Sequence, residues 1–156
     1  MRENISQAVK DAMKSGDKMR LSTLRLVQAA IKDRDIAARV DAKGQPTGHD
    51  RIDDSELLGL LQKMIKQRRE AAKTYADAGR GELADKETAE IAVIEEFLPK
   101  QLSAEEIEKA VAAVIDEIGA SGLKDMGRTM STLKERFAGQ MDFGKASAVV
   151  KARLSG

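Results

Sequence analysis

Apolar residues recur at intervals of three and four in successive stretches of this sequence, which is the spacing of one face of an α-helix. The stretch containing Leu21, Leu24, Val27 and Ile31 shows this spacing clearly. Only two prolines occur in 156 residues, so long helices are possible almost everywhere. No segment alternates β-branched or aromatic residues with polar ones, as a half-buried strand does. The sequence therefore predicts an all-α fold.

Glycines, prolines and helix-capping residues divide the chain into seven predicted helices. Asp53 with Glu56, and Ser103 with Glu106, have the spacing of a capping box, which marks the start of a helix. Glycine closes several of the others. The predicted helices cover about residues 2–15, 18–39, 54–78, 82–97, 104–118, 125–138 and 143–154.

The region around Pro99 is the natural boundary between two lobes. We expect a long-helix N-terminal lobe of four helices over residues 1–98, with a long antiparallel helix pair. A compact lobe of three helices is expected over residues 103–156. Residues 40–52 contain two glycines and a proline and form a polar loop, which we interpret as either mobile or a contact loop.

The residue inventory excludes the common catalytic sites. Cysteine is absent, which removes disulfides, thiolate metal ligands and cysteine nucleophiles. His49 is the only histidine and lies in the loop, so neither a Ser-His-acid triad nor a zinc site is expected. No Gly-rich phosphate-binding loop of the Walker type occurs. We predict no catalytic residue, no metal site and no cofactor.

The location of the protein is predicted from what the chain lacks. No run of about 18 apolar residues is present, so we expect no membrane partner. The first residues lack the apolar core of a signal peptide. The absence of cysteine suits a reducing compartment, and we expect a cytoplasmic protein. These patterns leave the oligomeric state open.

Several stretches together resemble the GatB/YqeY family. They comprise a Lys-Gln-Arg-Arg-Glu run, a tyrosine, a Gly-Arg corner, an acidic helix and a Leu-Pro-Lys-Gln-Leu segment, followed by two stretches in the second lobe. The motifs lie in residues 63–80, 82–102, 125–134 and 149–151, and the resemblance as a whole extends over nearly the whole chain.

The resemblance implies a helical fold and an association with tRNA. The family joins small free-standing proteins with the tail of the B subunit of the glutamine-dependent aminoacyl-tRNA amidotransferase, and that tail helps its complex hold tRNA. The catalytic cradle of the B subunit lies outside the shared region. By this resemblance the chain is a non-catalytic module, without stand-alone activity, that binds tRNA or an amidotransferase or other aminoacyl-tRNA-processing protein.

Two alternatives to tRNA binding stay open. One is an auxiliary factor of carbon–nitrogen ligase activity with glutamine as amido-N-donor, which the resemblance also implies. The other is a protein–protein adaptor with no role in RNA binding.

Basic residues of the C-terminal lobe are the first candidates for contact with tRNA phosphates. Over residues 119–156 cations outnumber acids by seven to three, whereas residues 82–118 carry an acidic excess. Gly127 and Gly144 lie at the starts of the last two predicted helices, where backbone amides could meet a phosphate. The competing interpretation is a basic surface that keeps a small lobe in solution. The predicted tRNA-binding residues of this lobe are Lys124, Arg128, Lys134, Lys145 and Lys151.

The third helix provides a second set of candidate cations. Lys66, Arg69 and Lys73 share one helix face and are predicted to bind tRNA. The alternative is an ordinary solvated face, because Glu70 and Asp77 follow the two lysines by four residues and could pair with them.

Arg68 lies within the apolar face of the same helix. A cation there is costly unless it is paired and hydrogen-bonded. We therefore predict a structural ion pair between Arg68 and an acid of the fourth helix, Glu90 or Glu87. The alternative is an arginine that binds a ligand.

Overall fold

A computed structural model describes all residues from 1 to 156 and shows an all-α protein. It contains seven α-helices, one short 3₁₀ helix at Leu123–Asp125 and no β-strand, apart from an isolated bridge between Val40 and Pro46. The predicted fold class is confirmed. The α-helices are α1 (Arg2–Ser15), α2 (Lys18–Ala37), α3 (Asp54–Asp77), α4 (Gly81–Glu95), α5 (Ala104–Ile118), α6 (Met126–Arg136) and α7 (Phe143–Ser155).

The starts of the helices follow the capping residues in the sequence. Asp53 accepts from the Glu56 amide at 2.8 Å, and Ser103 accepts from the Glu106 amide at 3.1 Å. Both glutamates bond back to the amide of the capping residue, so both predicted capping boxes are confirmed. Asp142 caps α7 by accepting the amides two and three residues further on.

The ends of three helices differ from the prediction. Helix α4 ends at Glu95, although we expected it to reach residue 97. The amide of Phe97 bonds to the Ile94 carbonyl, and that of Leu98 bonds to the Glu95 carbonyl, each at 3.1 Å. This tighter turn arises because the residue before Pro99 is sterically kept out of the helical conformation. Helix α2 likewise ends two residues early. Helix α6 is shorter at both ends, and its later start follows from the 3₁₀ turn that precedes it.

The chain divides into two compact units, Met1–Leu98 and Pro99–Gly156. The C-terminal unit begins before the predicted residue 103, because Gln101 Nε2 donates to the Gly139 carbonyl at 2.6 Å and the Leu102 amide to the Gln140 carbonyl at 2.7 Å.

The N-terminal unit is built around the pair α3 and α4, with α2 packed against both and α1 against α2. Gly79, at φ 72°, occupies the left-handed conformation that allows the sharp corner between α3 and α4. A second cluster lies between α1, α2 and α4 and contains Ala8, Val9, Ala12, Leu24 and Val93. The main core of this unit consists of Ile5, Val27, Ile31, Ile52, Leu57, Leu60, Leu61, Met64, Ile65, Ile91 and Ile94.

The polar loop between α2 and α3 is tied to the helices at its end. Arg2 makes a two-pronged ion pair with Asp35, at 2.8 and 2.9 Å, and also donates to the Ile52 carbonyl. Asp35 in turn accepts the Ile52 amide at 2.9 Å. Ile52 is thereby held in the main core, which fixes where α3 begins.

The C-terminal unit has a core of its own between α5, α6 and α7. Thr129 is fully buried there, and its hydroxyl donates to the Asp125 carbonyl at 2.8 Å. None of the seven helices combines the length and apolarity that a membrane crossing requires. The buried core residues of this unit are Ile107, Val111, Val114, Leu133, Met141, Ala146, Val150 and Leu154.

Candidate nucleic-acid interface

The arginines of the C-terminal unit are held by its own acids. Arg136 Nη2 lies 2.6 Å from Glu117 Oε1, and the second prong of the guanidinium also bonds this carboxylate. Arg153 bonds Glu108 at 3.2 Å. Both pairs link the last two helices to α5. Arg128, a predicted tRNA contact, lies 3.3 Å from an oxygen of Asp125, so part of its charge is neutralised locally.

Four of the six lysines of this unit are different. Lys124, Lys134, Lys145 and Lys151 are all exposed, and none has a carboxylate within the 4.0 Å of an ion pair. Each ammonium group is therefore open to an anion from outside the chain.

Helix α7 places two of these lysines on its solvent side. Ala146, Val150 and Leu154 face the core. With 3.6 residues per turn, Lys145 and Lys151 project on the far side, about 120° apart. The exposed residues between them include Gly144 and Ala148, which are small enough to let a bulky polyanion approach the helix backbone.

The expectation that backbone amides at the starts of both α6 and α7 could meet a phosphate is wrong for α7. The Gly144 amide donates to Asp142 Oδ1 at 2.8 Å, so it is not available to a phosphate as the sequence suggested. The reason is that Asp142 acts as the cap of α7. Helix α6 has no side-chain cap, and the space beside Gly127 is open.

The predicted tRNA-binding cations of α3 likewise comprise a paired arginine and two unpaired lysines. Arg69 lies 3.2 Å from Glu95 of α4 and remains mostly exposed. Lys66 and Lys73 are exposed and have no carboxylate within 4.0 Å, so the pairs with Glu70 and Asp77 do not form.

Arg68 lies in a different environment from these surface cations. Its Nε donates to Glu90 Oε2 at 2.9 Å, and its Nη1 donates to the Met64 carbonyl at 3.2 Å. The two side chains are only 14% and 13% exposed, so the charges satisfy each other between α3 and α4. Glu90, rather than Glu87, is the acid in contact.

The ion pairs of the C-terminal unit change the acidity of their members. The hydrogen bond from Arg136 lowers the pKa of Glu117, and the same bond raises the pKa of Arg136. The pKa of Asp125 is lowered chiefly by the hydrogen bond from the Ser121 amide, with the charges of Arg128 and Lys124 adding to it. These acids therefore stay ionised and keep neutralising the arginines.

Sequence reasoning missed the division between paired arginines and unpaired lysines. The partners of Arg136 and Arg153 lie 19 and 45 residues away in the chain, and no local pattern connects them. Only the contact of Arg128 with Asp125 has a local signal, the helical spacing of three residues.

No group of three or more histidine, aspartate or glutamate side chains comes together in a geometry that could hold a metal ion. His49 is exposed, and only its backbone amide is bonded, to the Thr47 hydroxyl.

The structure defines a class: an all-helical protein with two separate cores and exposed lysines that lack carboxylate partners. The sequence profile of the Yqey-like protein family matches residues 2–154. The chain belongs to the YqeY family, as its sequence motifs predicted.

Curated relatives are similar over most of the chain. The protein named Altered inheritance of mitochondria protein 41, mitochondrial, of Pyrenophora tritici-repentis is 32% identical over 133 residues, covering 82% of this chain and 68% of the relative. The protein of that name from Lachancea thermotolerans is 26% identical over 157 residues, covering 97% and 77%. Neither name describes an enzyme.

These names contradict the predicted cytoplasmic location, because they assign the relatives to mitochondria. The prediction was wrong because it rested on what the chain lacks, including cysteine. A chain without thiols is indifferent to the redox state of its compartment, so this absence does not distinguish one compartment from another.

Proposed function

We propose that this chain is a non-catalytic helical module that binds tRNA through the lysines of its C-terminal unit. The observation that supports this most strongly is the set of four exposed lysines without carboxylate partners, in a unit whose three arginines each contact an acid. The named candidate residues are Lys124, Lys134, Lys145 and Lys151.

The charges match what a phosphate backbone requires. A lysine that neutralises a phosphate releases a condensed counterion, and this release supplies much of the affinity of proteins for nucleic acids. Lysines that already pair with an acid gain less, since the internal pair must first break. Lys124, Lys134, Lys145 and Lys151 have no such pair to lose.

The unit is suited to the backbone of folded RNA rather than to single-stranded bases. Phe137 and Phe143 are its only aromatic residues, and both pack against the core. Stacking of unpaired bases on aromatic side chains is therefore not available, and this stacking is a main means of reading single-stranded RNA.

A gel shift with bulk tRNA across a salt series tests the proposal. Lys124, Lys134, Lys145 and Lys151 are replaced together by glutamine, which removes four charges without touching the core. We expect at least tenfold weaker binding at low salt. The slope of log affinity against log salt should also become shallower, by ~0.7–0.9 for each phosphate that the variant no longer neutralises.

The matched control replaces four lysines of the N-terminal unit, Lys10, Lys32, Lys43 and Lys86, by glutamine. This variant has the same net charge and should keep most of the affinity of the natural chain. Equal weakening by both variants would mean that only net charge matters. Absence of binding by the natural chain at low salt would reject the proposal.

Association with an aminoacyl-tRNA-processing protein, including an amidotransferase, is the second candidate and rests on the family. Its test adds the purified chain to a glutamine-dependent amidation assay with mischarged tRNA. An increase in rate or in affinity for tRNA supports it, and no change removes it.

A further inference from the structure

Helix α2 carries a surface hollow that the proposed tRNA contacts do not use. It has a volume of about 420 Å³ and is lined by Lys18, Leu21, Ser22, Arg25 and Leu26. The first four are spaced as i, i+3, i+4 and i+7. This spacing outlines the hole on one helix into which a side chain of a facing helix inserts.

The floor of the hollow is apolar, and the residue at its centre is small. Leu21 is half-buried and continues into the core beneath, whereas Leu26 is 48% exposed. Ser22, at the centre, leaves room for an incoming side chain. Met13 of α1 is 50% exposed and extends the apolar surface, because its Sδ lies 3.9 Å from Arg25 Nη2.

The two charged residues that line the hollow are both cations. Lys18 and Arg25 are exposed and have no carboxylate within 4.0 Å. Asp17 precedes Lys18, but its Oδ1 accepts the Arg20 amide as the cap of α2. The side chain of Arg20 is paired with Glu96. An occupant with carboxylates therefore finds two unpaired cations beside an apolar hole.

We propose that this hollow is a docking site for an amphipathic, acidic helix of a partner protein. An apolar side chain of that helix fills the space over Ser22, between Leu21 and Leu26. Its carboxylates pair with Lys18 and Arg25. Met13 lies beside Arg25, and a methionine adapts readily to partners of different shape.

An acidic helix suits this site better than RNA or a lipid surface. RNA phosphates gain nothing from an exposed leucine and methionine, which stay in contact with water. A lipid surface favours a continuous apolar face, whereas the hollow is concave and bounded by charges. The spacing of the residues around the hollow and the two cations together match one amphipathic helix, with an apolar face flanked by acidic residues.

The probe for the test is a synthetic, fluorescently labelled helical peptide about four heptads long, with leucine at the a and d positions and glutamate at e and g. The glutamates also weaken pairing of the peptide with itself. Fluorescence anisotropy with the full chain should show saturable binding. A matched peptide with lysine in place of each glutamate should bind at least tenfold more weakly.

Two variants separate shape from charge. Ser22→Arg fills the hole while adding a cation, so a purely electrostatic attraction would strengthen. We expect instead at least a tenfold loss. The double variant K18E/R25E should lose binding of the acidic peptide and gain binding of the lysine peptide. Lys32→Glu, on the same helix but outside the hollow, should leave the affinity of the acidic peptide nearly unchanged.

Three results would overturn the docking proposal. The first is unchanged or tighter binding by Ser22→Arg, provided that circular dichroism shows the variant folded. The second is a loss of tRNA affinity, or of binding to anionic phospholipid vesicles, in both Ser22→Arg and K18E/R25E. Either loss would assign the hollow to RNA or to lipid. The third is a dimer in sedimentation that Ser22→Arg dissociates, which would make the occupant a second copy of this chain.

Discussion

At the scale of single residues, the C-terminal unit pairs its three arginines with acids and leaves Lys124, Lys134, Lys145 and Lys151 unpaired. Arginine has a planar, forked donor group that matches a carboxylate, whereas lysine is a compact, strongly hydrated charge on a flexible stem. The pairs of Arg136 with Glu117 and Arg68 with Glu90 hold helices together. The four unpaired lysines stay in water and keep their charge for other partners. The proposed function depends on this difference.

The Arg68–Glu90 pair yields the first prediction at this scale. Glu90→Ala should lower the free energy of unfolding by about 3 kcal/mol, because it leaves a mostly buried guanidinium without its partner. The double variant R68M/E90L should recover most of this loss, since a well-packed apolar pair of similar volume replaces the ions. Urea unfolding measures both.

The same variants distinguish the structural pair from a ligand-binding arginine. If the pair is structural, R68M/E90L binds tRNA as the natural chain does. A folded double variant with tenfold weaker tRNA binding would instead assign Arg68 to the interface.

The second prediction at this scale concerns pH. The hydrogen bond from Arg2 lowers the pKa of Asp35, helped by the bond from the Ile52 amide. The folded state thus holds the ionised form more tightly than the unfolded chain does. This contribution to stability is complete above the ordinary aspartate pKa of about 4, and it is lost as pH falls through the lowered value.

Asp35→Asn should accordingly destabilise the protein by ~2 kcal/mol at neutral pH, the usual scale for hydrogen bonds to charged groups. The difference from the natural chain should shrink as pH falls from about 4 towards 2. Urea unfolding across this range measures it. A difference that stays constant with pH would show that the charge of Asp35 has no part in holding Ile52.

At the scale of helices, the sequence predicts beginnings better than ends. A helix starts where a side chain caps its first amides. Asp53, Ser103 and Asp142 each accept an amide no more than three residues further on, so the start is visible in the local sequence. The end of α4 depends on the steric effect of Pro99 on the turn before it, which apolar spacing does not reveal. The bonds of Arg2 with Asp35 and Ile52 were not predictable, because they join distant segments.

In the candidate site, too, local features could be predicted and contacts between distant segments could not. Composition identified the lysines of the C-terminal unit, and the Arg68–Glu90 contact was expected from a cation on an apolar face. Which cations remain unpaired depends on how α5 packs against α6 and α7. Glu117 and Glu108 reach their arginines only through that packing.

A prediction at this scale uses the cap of α5. Ser103→Ala removes the hydroxyl that accepts the Glu106 amide and should destabilise the C-terminal unit by about 1 kcal/mol. Hydrogen exchange should show faster opening of core amides such as those of Val111 and Leu133, while the amides of α3 keep their protection. Equal acceleration in both units would contradict separate cores.

At the scale of the whole molecule, the chain consists of two units with a core each. Each unit therefore has the means to fold by itself. We predict that residues 99–156, produced alone, give a helical circular dichroism spectrum and a cooperative thermal transition. This fragment should keep at least a third of the tRNA affinity of the full chain in the gel shift.

Residues 1–98 serve as the control in that experiment. If only they bind tRNA, the interface lies on the N-terminal unit and not on the C-terminal unit. A fragment 99–156 that is unfolded alone would show that its core is insufficient, and the lysine-to-glutamine variant of the full chain would then decide the site.

The central claim is that the chain offers unpaired lysines to tRNA. Its most direct test is ultraviolet crosslinking of the full chain to RNA in cells, with sequencing of the RNA and mass spectrometry of the crosslinked peptides. We predict enrichment of tRNA and crosslinks within residues 124–151. Recovered RNA without tRNA enrichment, or crosslinks confined to residues 1–98, would contradict the account.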